Sequence, residues 1–344
     1  MENNKNIEAH LVNDGNEQYY YLQPARPAVQ PYQQQYQQPQ QYQQPQMQPQ
    51  PKQPSKGRKV GAAFLCLVPW AILQVVQTIV MIAVWFWYAS DTIIELVERG
   101  RIKDMSVLTD SLAESLGPMM LIYGIISAIG FGIFYMVKYV NFREVGKNLA
   151  GVGWRFWLAA FIAVIGAQTF AQGFVYLYQE IPILKKLTEY IYQNNPVYDA
   201  MNKTDLSLTF VLGTVIFVPI AEELVFRGIA GGILRKAGHS ARFILFFTAL
   251  FFAIAHGNIA QIVYVLVLGL AEGYMYVHKK TIIPTILMHM LYNFLGTNAF
   301  IESVVTKLPV PAYFILVCVG LAAVAGAFFL ARSGVKKDVA ADAV

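Results

Sequence analysis

The chain is short of charge and nearly free of cysteine. Only 14% of its 344 residues are Asp, Glu, Lys or Arg, against 56% hydrophobic residues, and the mean hydropathy is +0.42. Soluble domains carry about 25% charged residues, so this shortage excludes an ordinary soluble fold and points to a polytopic membrane protein. Cys66 and Cys318 are the two cysteines. Both fall in apolar segments, where a thiol acts as a small hydrophobe, so neither a disulfide framework nor a cysteine metal site is expected. Residues 1–57 lack the apolar core of a cleavable signal, and the first apolar segment is long and has no small-residue cleavage site after it; a signal anchor is expected instead. No inverted repeat or pair of broken helices is evident, which weighs against a transporter.

What the chain does have is apolar length. Eight stretches, 60–89, 117–140, 155–178, 206–234, 243–257, 258–277, 281–300 and 311–332, read as helices of the kind that cross a hydrocarbon core, which takes about 20 residues. The fold class expected is all-α, a polytopic transmembrane helix bundle of about eight spans with a disordered N-terminal tail. The organisation is a tail over 1–57, a membrane domain over 58–334 and a short C-terminal tail over 335–344. The fifth stretch is too short to cross alone, so it and the sixth are expected to form a hairpin that turns at Gly257 and Asn258 inside the protein.

Basic residues set the orientation. Lys52, Lys56, Arg58 and Lys59 precede the first stretch; Lys138, Arg143 and Lys147 follow the second; Arg235, Lys236 and Arg242 follow the fourth; Lys279 and Lys280 follow the sixth; Arg332, Lys336 and Lys337 follow the last. All fall on one side, which the positive-inside rule makes cytoplasmic, together with both termini. An integral protein of the plasma membrane is expected. The formal charge of +5 is largely this bias, and no nucleic-acid partner is expected.

Two segments outside the stretches have their own character. "PYQQQYQQPQQYQQPQMQPQPKQP" has too few aliphatic residues to bury a core, and its prolines remove backbone donors. It reads as a solvated cytoplasmic extension, with docking to aromatic-groove domains as the alternative. Between the third and fourth stretches, a short interfacial helix is expected around Ile183 to Tyr192, either guarding an entrance or resting on the membrane surface.

Charge inside an apolar stretch needs a reason. "FVPIAEELVFRGIAGGIL", residues 217–234, carries Glu222, Glu223 and Arg227, and each charge near mid-bilayer costs about 2.5–3.5 kcal/mol on insertion scales. Glu223 and Arg227 stand at i and i+4 with the acid N-terminal, the order in which they neutralise each other. Glu222 points about 100° away from Glu223 around the helix and is left as the carboxylate free to react. Further on, "FFAIAHGN" supplies His256 and "LMHMLYNF" supplies His289 and Asn293 on one helical face. Counted from the nearest basic cluster at a 1.5 Å rise, Glu222, His256, His289 and Asn293 lie at depths of ~18, ~21, ~14 and ~20 Å. Glu272 is placed outside the site, paired with a base or snorkelling. Gly228, Gly232, Gly269 and Gly273 follow the small-xxx-small spacing that lets helices approach. Singly, each polar residue also fits a packing role.

In order along successive helices, "EELVFR" fits EExxxR, "FAIAH" fits FxxxH and "HMLYN" fits HxxxN. Over roughly residues 205–298 the chain thereby resembles the CPBP group of intramembrane endopeptidases, which includes CAAX prenyl proteases and bacterial Abi proteins tied to bacteriocin processing and immunity. The resemblance implies Glu222 as general base, His256 helping to hold the water, His289 and Asn293 stabilising the oxyanion, and Glu223 and Arg227 bracing the site. It implies a membrane-associated peptide or protein substrate, lipidated or not. The group is often called metalloproteases although HExxH is lacking. Zn²⁺ on Glu222, His256 and His289 is therefore one candidate, and hydrolysis needing no cofactor is preferred. A catalytically silent scaffold or immunity protein and an ion-coupled transporter are the alternatives.

Overall fold

The computed structural model describes residues 7–14, 17–24, 55–98, 105–192 and 206–341. The chain separates into two compact units, Met1–Lys52 and Gln53–Val344.

Within the first unit, β1 (Ile7–Asp14) and β2 (Glu17–Pro24) pair antiparallel, Ile7 opposite Pro24 and Asp14 opposite Glu17. These strands fall inside the segment 1–57 read from the sequence as a tail. The cause is local: β2 carries Tyr19, Tyr20 and Tyr21, residues that favour strands, and the sequence joining the strands, Gly15-Asn16, suits a two-residue hairpin connection. The Pro/Gln/Tyr tract at 31–54 lies outside the described residues.

The second unit is an all-α polytopic bundle. In chain order its helices are α1 (Lys56–Leu65), α2 (Leu67–Glu98), α3 (Met105–Tyr139), α4 (Phe142–Ala150), α5 (Trp154–Gln179) and α6 (Pro182–Tyr192). They are followed by α7 (Leu208–Lys236), α8 (Ala241–Ala255), α9 (Ile259–Lys279), α10 (Ile283–Gly296), α11 (Ala299–Val305) and α12 (Val310–Ala341). Polar caps start several of them where the apolar runs are interrupted: Ser55, Asn141, Ser240, Asn258 and Asn298 each accept a bond from a backbone N–H two or three residues on, replacing a partner the first turn lacks. All eight apolar stretches appear as helices. Among the described residues, six segments are long and apolar enough to cross a membrane, whereas α8 and α10 are shorter, at 15 and 14 residues. The outward faces stay apolar, with Trp87 80% and Phe329 73% exposed; so large an apolar surface calls for lipid.

Several expectations change in detail. A helix occupies 182–192 as anticipated, but α4, with Phe142 outward, was not anticipated. The last helix runs on to Ala341, through most of the segment read as a C-terminal tail. The hairpin of α8 and α9 forms, and Gly257, which ends α8 at φ +69°, is exposed where an interior turn was expected.

Small residues set the packing around the site. α5 lies against α12, α9 and α10, while α3 lies against α2 and α7. A Cβ built on Gly213 of α7 would come within 2.6 Å of the Leu121 backbone of α3, and one on Gly320 of α12 within 2.5 Å of Phe170 of α5. Neither position has room for a larger residue. Gly228 and Gly232 likewise meet Tyr135 and Tyr139 of α3, and Gly269 and Gly273 meet α8, the close approaches their spacing predicts.

Candidate active site

α7 is not one continuous α-helix. Two π-helical segments, Leu212–Phe217 and Leu224–Ala230, flank a short α-helical stretch, Val218–Glu223, that ends on the two glutamates. The first has a readable cause. The Val218 N–H bonds back to the Gly213 carbonyl, five residues away, and the next carbonyl, Thr214, would need an N–H from Pro219, which has none. Asn293 of α10 supplies it: its Nδ2 donates to the Thr214 carbonyl at 2.8 Å. Pro219, three residues before Glu222, thus leaves a free carbonyl that fixes Asn293.

The adjacent glutamates have opposite surroundings. Glu223 is fully buried and paired with Arg227. Arg227 also faces Glu272 of α9, Nη2 to Oε2 at 3.0 Å, donates to the Gly269 carbonyl at 3.3 Å, and lies 4.4 Å above the centre of the Phe252 ring. Arg227 and Glu272 are as buried as Glu223. Glu272, expected outside the site, is therefore the second anion of Arg227. Its span position alone suggested a surface pair, but the glycines at 269 and 273 bring α9 so close to α8 that its face is sealed. One guanidinium contacts both carboxyl groups, and buried charge at this depth is tolerated where such a partner is present.

Glu222 keeps 19% of its side chain exposed and lines a cavity of about 480 Å³. His256, His289 and Asn293 line the same cavity, so α7, α8, α9 and α10 converge on one hollow. His289 joins the two environments. Its Nδ1 is 3.3 Å from Glu223 Oε1 and its Nε2 is 3.6 Å from Glu222 Oε2. Because Glu223 is held as a carboxylate by Arg227 and can only accept, Nδ1 is the donor there, and Nε2 is directed toward Glu222 and the cavity. His256 caps α8, its Nδ1 donating to the Phe252 carbonyl at 2.9 Å, which leaves Nε2 as an acceptor in the neutral ring. Phe252 packs edge-on against both imidazoles, with centroids 4.8 Å from His256 and 5.4 Å from His289.

A metal does not suit these positions. Among the described residues, the group of acids and imidazoles whose ligand atoms lie within 4.8 Å of one another is Glu223, Glu272 and His289, and Arg227 already contacts both of its carboxylates. Glu222, His256 and His289, the candidate zinc set, do not converge as closely. A divalent ion would have to displace a buried guanidinium or recruit ligands not directed at it.

Beyond the expected residues, the structure adds Glu272, Thr214 and the cavity-lining Gln168 and Gln172 of α5. The glutamines carried a legible signal, two amides at i and i+4 in an apolar span; the role of Thr214 depended on an irregular backbone and carried none.

No curated protein and no solved structure matches the chain. Residues 204–295 match the family described as type II CAAX prenyl endopeptidase Rce1-like, a segment that runs from the start of α7 to the end of α10 and contains Glu222, His256, His289 and Asn293. The membrane bundle therefore carries over 204–295 a domain of the CPBP family of CAAX-type endopeptidases.

Proposed function

We propose that the protein hydrolyses a peptide bond of a lipidated, CAAX-type substrate inside the bundle, with Glu222 as the general base. The observation that carries this reading is the contrast between the two glutamates: one is neutralised and sealed, while the other opens onto a cavity that also holds both histidines and the asparagine. Water in the cavity gives a proton to Glu222 as its oxygen attacks the scissile carbonyl carbon. Nε2 of His256 accepts a hydrogen bond from that water and orients it. The carbonyl oxygen becomes an oxyanion facing Asn293, whose Nδ2 has one hydrogen on Thr214 and a second to donate. His289 donates through Nδ1 to Glu223 and, when Nε2 also carries a proton, through Nε2 to the oxyanion. The tetrahedral intermediate collapses when the proton held by Glu222 passes to the departing amine, which breaks the C–N bond and restores the carboxylate.

Water activation is assigned to Glu222 and no step passes through a metal, because the imidazoles and Glu222 do not form a converging ligand set. The expected orientation puts the hollow toward the cytoplasmic side, where a prenylated C-terminus would reach it. Bacteriocin-type processing has no separate observation in its favour.

Purified protein in lipid nanodiscs should release the C-terminal tripeptide from a fluorogenic peptide ending in farnesylated Cys-Val-Ile-Met, and Glu222→Gln should release none above background. Cleavage that persists unchanged in Glu222→Gln would remove the base from the account.

A further inference from the structure

The cavity has a wall that the matched segment does not supply. Gln168, Gln172 and Tyr176 of α5 line it at i, i+4 and i+8, one face of one helix. The Tyr176 ring is stacked on Tyr313 of α12, with centroids 5.3 Å apart, and the close fit of α5 on α12 at Gly166, Gly173 and Gly320 holds the face in place. This row is built into the most extensive helix pair of the bundle.

Gln168 is the informative member. It is 7% exposed, and its Oε1 is buried without a hydrogen-bond partner. A buried amide oxygen is normally satisfied, and the side chain faces the cavity, from which a donor can come. It also lies beside the reactive end: a Cβ on Gly296, one turn beyond Asn293 on α10, would sit 3.6 Å from Gln168 Nε2 and 3.8 Å from Oε1.

Spacing identifies the ligand's chemistry. Residues four apart on a helix rise ~6 Å, and an extended peptide repeats its outward-facing backbone groups every ~6.6 Å. We propose that Gln168, Gln172 and Tyr176 form a backbone-binding strip along which the substrate lies extended, Gln168 Oε1 accepting a peptide N–H next to the scissile bond. The inference rests on the endopeptidase reading and extends it: the match at 204–295 supplies the reacting groups, and α5 supplies the register in which a peptide is presented to them. Amide side chains reading main-chain groups tolerate varied substrate side chains, so this strip sets register and not sequence preference.

Binding and turnover are measured separately so that the two ideas can fail separately. The binding probe is the fluorescein-labelled farnesylated Cys-Val-Ile-Met peptide, read by anisotropy on the full-length Glu222→Gln protein in nanodiscs. A companion set replaces one non-scissile amide at a time by an ester, which removes a single N–H with little change of shape. The expected result is one ester position, adjacent to the scissile bond, that weakens binding about five- to tenfold, the scale of one hydrogen bond. Adding Gln168→Leu should weaken the all-amide peptide by a similar factor and abolish the ester's penalty, while thermal unfolding moves by no more than a few degrees. Ester penalties that are absent, or equally large with and without Gln168, overturn the strip even if the wild type cleaves the peptide. A Gln168-dependent penalty with no turnover by the wild type sustains the strip as a peptide-binding device and overturns the endopeptidase reading.

Discussion

Two clusters that meet at Glu222 and Glu223 of α7 use ionisable groups in opposite ways. The sealed cluster, Glu223, Arg227 and Glu272, is wholly buried, and its charges face one another. The open cluster, Glu222, His256, His289 and Asn293, lines the cavity, and its groups face a space where a substrate can come. The difference arises from one residue of helical offset, which turns Glu222 away from the guanidinium that captures Glu223. A charge in a membrane bundle is available for reaction when it opens onto a cavity instead of being captured by a buried cation, as Glu222 does beside the sealed Glu223. His289 spans the divide, bonded to the sealed side through Nδ1 and presented to the open side through Nε2.

The sharpest way to break the comparison is to remove the cation on which the sealed side depends. Arg227→Ala leaves two buried carboxylates uncompensated and should cost about 3–5 kcal/mol, seen as a large fall in melting temperature and in yield of folded protein from membranes. The open side responds differently. Asn293→Ala removes one oxyanion donor and should lower kcat by about 10²–10³-fold, with KM little changed because the interaction forms in the transition state; a rise in KM at constant kcat would make Asn293 a binding residue. Glu272→Gln tests the border. It keeps a hydrogen-bonding partner for Arg227 while removing the second carboxyl group, so a loss of about 1 kcal/mol in stability is expected, measured by chemical denaturation in detergent, with kcat reduced less than in Asn293→Ala. The smallest expected effect is that of metal removal: prolonged dialysis against a strong chelator should leave turnover unchanged, since Arg227 already occupies the place among Glu223, Glu272 and His289. Loss of activity restored by stoichiometric zinc would contradict that assignment.

The elements nearest the chemistry were also the most readable. Apolar length located the membrane-crossing helices of the bundle though not α4, and the i, i+4 spacing of Glu223 and Arg227 foretold their ion pair, because both signals are local to one helix. That Glu272 pairs with a base was legible, but not which base, because Arg227 lies 45 positions away on another helix, and which face of α9 meets α7 depends on how closely the glycines let the helices pack. The link from Pro219 through Thr214 to Asn293 was not legible either. A proline within an apolar run announces a disturbance but not that the backbone answers with a π-helical segment, nor which side chain fills the freed carbonyl.

The measurement that bears most directly on the division between the clusters is a paired comparison of Glu222→Gln and Glu223→Gln for melting temperature and turnover of the farnesylated peptide. The account predicts that the first variant melts like the wild type and turns over at least about 10²-fold more slowly, the lower range for a lost general base, whereas the second melts well below it. Equal melting losses in the two variants, or near-normal turnover by Glu222→Gln, would contradict it.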